Sequence, residues 1–77
     1  MSIDATLKSI IAGQLGIPEE QIQTTSGFVE DLGADSLDMV ELIMHIEESF
    51  DVQILDEDVE NIKTVADAAA YIQQHTS

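Results

Sequence analysis

Residues 36–50, SLDMVELIMHIEESF, constrain the fold most, because they place apolar residues on two separate faces of one helix. At about 100° per residue, Met39, Leu42, Ile43, Ile46 and Phe50 fall on one side, wide enough for a core face. Leu37, Val40 and Met44 recur at i, i+3 and i+7 on an adjoining stripe. Glu47 borders that stripe on one edge, and Glu41 and Glu48 border the other, with Asp38 beyond them. Two arrangements satisfy this wheel. All eight apolar residues are buried and the carboxylates form a solvated face, or the stripe is an exposed docking surface with an acidic rim. Methionine suits the second arrangement, because its flexible thioether adapts to several partners. His45 falls on the polar side, where a lone histidine is ordinarily solvated, as is His75 near the C-terminus.

The rest of the pattern supplies partners for the core face. Ile3, Leu7, Ile10, Ile11 and Leu15 predict an amphipathic helix over 3–15, stopped by Gly16 with Pro18 beyond it. Residues 16–35 are a long connection that Phe28 and Leu32 should pin to the core, with one helical turn over 19–22. After a connection at 51–55, Asp56 is expected to cap a short helix running through Ile62. Thr64, with Asp67 three residues later, predicts a capping box for a last helix whose inner stripe is Val65, Ala68, Ala69 and Ile72. Val and Ile within 52–55 have no partner strand. The expected fold is all-α: a four-helix bundle of three main helices and one short one, with a long first loop. The 77 residues fit one domain, 1–77. A domain of this size buries roughly 60% of the surface of its unfolded chain, which leaves little room for a large internal active site.

Charge narrows the function. Sixteen acids face only Lys8 and Lys63, for a net charge of −14. Nucleic acid selects basic surfaces, so it is an unsuitable partner, and anionic membranes are disfavoured too. No apolar run approaches the roughly 20 residues that span a bilayer. The N-terminus, MSIDATLKSI, resembles neither a secretory signal nor a transit peptide, so a cytoplasmic protein is expected. A negative field of this strength steers a protein toward basic patches on other proteins. With no cysteine, the chain has no disulfide and no zinc–thiolate site, and any thioester chemistry needs a sulfur from an attached group. The acids at 30–38 and 56–60 could attract calcium or magnesium, and divalent cations are expected to stabilise the fold more than monovalent salt does. These acids lack the alternating ligands and central glycine of an EF-hand, so no metal site is assigned. No nucleophile–base–orienter set points to an enzyme.

Ser36 opens the second helix. A serine there is ordinarily a cap or first-turn residue. A phosphodiester at the same place would face unpaired backbone N–H groups and the positive end of the helix dipole, against repulsion from Asp35 and Asp38. Backbone physics therefore permits a phosphoryl attachment without requiring one.

The segment FVEDLGADSLDMVELIMHIEESFD, Phe28 to Asp51, closely resembles the acyl carrier proteins of dissociated (type II) fatty-acid synthesis. The likeness extends through GIPEEQI and ILDEDVENIKTVADAAAYI to nearly the whole chain. Asp35-Ser36-Leu37 matches the family's modification motif. The resemblance implies that Ser36 receives 4′-phosphopantetheine from coenzyme A by the action of a phosphopantetheinyl transferase, with Asp35 and Leu37 beside it. It also implies that Leu37, Asp38, Val40, Glu41, Met44, Glu47 and Glu48 lie on the helix that partner enzymes recognise. Those partners would be acyltransferases and fatty-acid synthesis enzymes with basic docking patches, acting on a monomeric, non-catalytic carrier. The arm's thiol would supply the missing sulfur, and its reach is roughly 15–18 Å, equivalent to about five extended residues. Cargo is expected to enter the bundle among Phe28, Ile46, Phe50, Val59, Ile62, Ala68 and Ile72. Leu55 departs from the family pattern, where many relatives carry proline, which bears on the turn into the short helix. A carrier of polyketide, peptidyl, aryl or D-alanyl cargo would use the same serine. The competing readings of another class are an acidic adaptor or a cation-binding module.

Overall fold

The computed structural model describes residues 3–75. Four helices follow in order: α1, Ile3–Leu15; α2, Ser36–Phe50; α3, Asp56–Val59; and α4, Val65–His75. A 3-10 turn, Glu19–Gln21, interrupts the first connection. The bounds of α1 and α2 are those the apolar spacing predicts, and no strand occurs among the described residues.

Packing follows from the stripes. Helix α1 lies against both α2 and α4. It buries Leu7 and Ile11, which meet Leu42, Ile43 and Ile46 of α2 and Val65, Ala68 and Ile72 of α4 in one core. Each completely buried Leu, Ile or Val contributes roughly 1.5–3 kcal/mol relative to exposure, so this shared core supplies the main driving force. Helix α1 ends where Gly16 turns left-handed at φ 68°, which a side chain would oppose. Helix α2 ends on Asp51, also left-handed at φ 54°, and the Val52 N–H then donates to the Glu47 carbonyl.

The long first loop is held more firmly than its length suggests. Phe28 is 1% exposed and Leu32 is half-buried against the core, as their apolar character predicts. Backbone bonds add a second anchor to the start of α4: Phe28 N–H donates to the Lys63 carbonyl (2.9 Å), Val65 N–H to Ser26 (3.0 Å) and Ala66 N–H to Thr24 (2.8 Å). The loop therefore delivers the chain to the start of α2 from a fixed direction. The α4 capping box forms as predicted. Thr64 Oγ1 accepts from the Asp67 N–H, and the Asp67 carboxylate accepts from the N–H groups of Thr64 and Lys63.

The expected short helix needs correction. It runs only from Asp56 to Val59, and Leu55, not Asp56, occupies the cap position. Leu55 offers no side-chain acceptor, so Asp56 begins the first turn. Beyond Val59 the backbone tightens into bonds spanning three residues, Asn61 N–H to Asp58 and Ile62 N–H to Val59. That tightening accompanies a buried Ile62, 5% exposed. Helix α3 and the segment before it are also tied by side chains: Tyr71 Oη donates to the Asp58 carboxylate (2.9 Å), and the Glu47 carboxylate accepts from the Ile54 N–H (2.8 Å).

Candidate attachment site and docking face

Asp35 determines how the site begins. Its carboxylate accepts from the Asp38 N–H (2.8 Å), and the Asp38 carboxylate accepts from the Asp35 N–H (3.3 Å). This reciprocal pair is a capping box built from two aspartates, so Asp38 has a local structural job in addition to its charge. The box leaves Ser36 as the first helical residue, with its side chain exposed. The N–H groups of Ser36 and Leu37 lie in the first turn, where a helix has no intrahelical acceptor for them.

Ser36 lies at the edge of an open cleft of about 790 Å³ between α2 and the α3 side of the molecule. Asp35 and Ser36 form part of its rim. Ala34, Met39, Ile43, Ile54 and Val59 supply apolar walls, with Val29, Val40 and Met44 toward the outside. The residues present therefore fit a phosphopantetheine group on three counts. Ser36 is exposed, the first-turn N–H groups can face an attached phosphate against repulsion from Asp35 and Asp38, and a mostly apolar cleft adjoins the attachment point. The open clefts take in part of the expected cargo lining. Ile46, Ala68 and Ile72 are closed into the α1–α2–α4 core, and of the predicted set only Val59 lines this cleft. Phe28 and Ile62 instead line a neighbouring cleft of about 540 Å³. The wheel separated inner from outer faces, but it carried no information on which inner residues the short α3 leaves uncovered.

The second apolar stripe of α2 is exposed. Leu37 is 66% exposed, Val40 57% and Met44 53%, so burial of all eight apolar residues is excluded. Glu41 and Glu48 are exposed beside them, and Glu41 accepts from Gln14 Nε2 of α1. Glu47 is half-buried and shared: its carboxylate borders the stripe and the cleft while accepting the Ile54 N–H. That tie joins the outer face of α2 to the cleft's far wall, and no spacing rule in the sequence could have revealed it.

His45 is exposed, as its place on the wheel predicts. His75 stacks on Tyr71 with ring centroids 4.0 Å apart. Partial burial, followed by the bond to Asp58, raises the Tyr71 phenol above its ordinary value. The backbone N–H of Lys63 leads the groups that lower the Asp67 carboxyl, partly opposed by burial. Among the described residues no group of three or more His, Asp or Glu could hold a metal ion. No helix among those residues is long and apolar enough to cross a membrane.

An exposed serine behind an aspartate cap, at the head of a helix and beside an apolar cleft, is compatible with a carrier-type site. Residues 5–72 match the family model described as the phosphopantetheine attachment site, and the chain belongs to that family. The group the family attaches is phosphopantetheine. The fold is similar to that of a solved structure described as "a putative acyl carrier protein (Rv0033) from Mycobacterium tuberculosis". The TM-score is 0.88 at 32% identity, and the match covers 95% of this chain and 97% of that one.

Proposed function

We propose that this chain is a single carrier domain that holds acyl groups on 4′-phosphopantetheine at Ser36 and presents them to the enzymes of dissociated fatty-acid synthesis. The observation that carries this reading is the union, on one helix, of the exposed Ser36 and the exposed Leu37–Val40–Met44 stripe. When bound, the group supplies a thiol that holds an acyl chain as a thioester. The chain's own residues do the rest. The Asp35–Asp38 box fixes the start of α2, where Ser36 is exposed to a phosphopantetheinyl transferase. Leu37, Val40 and Met44 give each partner a small apolar anchor. Glu41 and Glu48 act mainly on encounter, because exposed rim charges change association rates more than affinity. Weak, fast, charge-steered binding suits a monomeric carrier that must visit several enzymes in turn. The chemistry is left to those enzymes, in keeping with a cytoplasmic, non-catalytic role.

The test is transfer of cargo to a condensing enzyme of dissociated fatty-acid synthesis. Glu41→Lys should slow transfer and flatten its dependence on salt, while Met44→Ala should speed dissociation. Glu20→Lys makes the same change in net charge on the exposed 3-10 turn, away from α2, and should leave transfer close to wild type. Equal slowing by Glu20→Lys and Glu41→Lys would make total charge the cause and remove the docking face. Transfer only to enzymes of another acyl pathway would reassign the cargo.

A further inference from the structure

The two apolar clefts beside α2 share a wall. The cleft at Ser36 and its neighbour of about 540 Å³ have three lining residues in common: Val29, Met39 and Val59. These three differ in what they can do. Val29 is 61% exposed on the first loop, and Val59 belongs to α3. Both are β-branched and stiff at their only side-chain torsion, so moving them out of the wall means moving backbone. Met39 stands on α2, half-buried against the core, with an unbranched side chain of three rotatable bonds. It alone can open the wall by changing rotamer while every helix stays in place.

Order of filling follows from position. Ser36 is at the rim of the first cleft only, so that cleft is the nearer one for cargo folded back on an arm attached there. The second cleft lies across the wall and offers Phe28 and Ile62 as apolar lining. We propose that Met39 is a length gate for the cargo: shorter acyl chains occupy the cleft at Ser36, and longer ones must turn the Met39 side chain aside to reach the cleft beyond. This inference rests on the acyl-carrier reading of Ser36 and adds the residue that sets how cargo length is sensed.

The experiment uses the full chain, loaded at Ser36 from coenzyme A bearing straight acyl groups of increasing length. The readout is the melting temperature of each acylated form minus that of the free-thiol form of the same variant, so any intrinsic cost of a substitution cancels. In the wild type, the gain should rise with length, break where the first cleft is full, and resume once the second is entered. Met39→Ala should remove the break or move it to longer chains. Met39→Phe, a larger and stiffer plug, should extend the plateau. In the wild type, the Met39 ε-methyl resonance should shift little below the break and strongly above it, which tests the gate without any substitution. A break that keeps its place in both variants, or a methyl signal that responds equally to all lengths, would overturn the gate alone. Failure of Ser36 to accept the arm would overturn the carrier reading itself, and the gate with it.

Discussion

Glu47 offers the sharpest energetic test of how the docking helix is coupled to the cleft. Its carboxylate accepts the Ile54 N–H at 2.8 Å, and Ile54 is only 7% exposed. Glu47→Ala removes the acceptor and strands that N–H, and leaving a buried donor unpaired costs roughly 1–3 kcal/mol. A domain of this size loses about 4–8 °C in Tm per kcal/mol, so the expected fall is on the order of 10 °C. Removing one of 16 acids also relieves self-repulsion, which works in the opposite direction. Glu48→Ala isolates that effect, because Glu48 is exposed, adjacent in sequence and equally near the C-terminal end of α2. Glu47→Gln keeps a carbonyl oxygen in reach of Ile54 and should recover most of the loss. Thermal unfolding followed by far-ultraviolet circular dichroism measures all three. If Glu47→Ala melts within about 2 °C of Glu48→Ala, the Ile54 bond does not hold the loop and the reasoning fails.

Three further outcomes are expected. Tyr71→Phe deletes the donor to Asp58 and the longer contact to the Gln53 carbonyl, so it should cost about 1 kcal/mol and raise hydrogen exchange first around α3. Asp67 is lowered from 3.8, so its contribution is present above that value and is lost as pH falls through the folded carboxyl's own lower range. Asp67→Asn should therefore be less stable than wild type at neutral pH and converge with it in strong acid; a constant gap across the titration would contradict the assignment. Because 12 of the 16 acids lie between Glu30 and Glu60, salt should raise Tm by screening. Magnesium or calcium in the millimolar range should raise it more than sodium at matched ionic strength, and identical effects would leave screening as the whole explanation.

The fold was legible wherever one face of a helix had to be buried. The spacings of α1 and α2 and the Thr64–Asp67 pair each specify a helix through contacts within one or two turns. The limits of α3 were not legible, since Ile62 is placed by the core and Ile54 and Asp58 are tied by Glu47 and Tyr71, which lie outside the short helix's own turn. The site shows the same division. The two apolar faces of α2 and the place of Ser36 at its start were readable because they lie on one element, while the exposure of the outer stripe was left open and the role of Ser36 rested on the resemblance of Asp35-Ser36-Leu37. The cleft was not legible because its walls come from the first loop, α2 and α3 together. The backbone anchor of the first loop to α4 involves Ser26, Phe28 and Val65 through groups that every residue carries, so no side-chain pattern announces it.

The central claim is that Ser36 carries the arm. Incubation with coenzyme A and a phosphopantetheinyl transferase, followed by intact-protein mass spectrometry, measures this directly. The account predicts a gain of one phosphopantetheine group on the wild type, fragments that place it at Ser36, and no gain on Ser36→Ala with helicity retained. A wild type that stays unmodified, or an alanine variant that still gains the group, would contradict it.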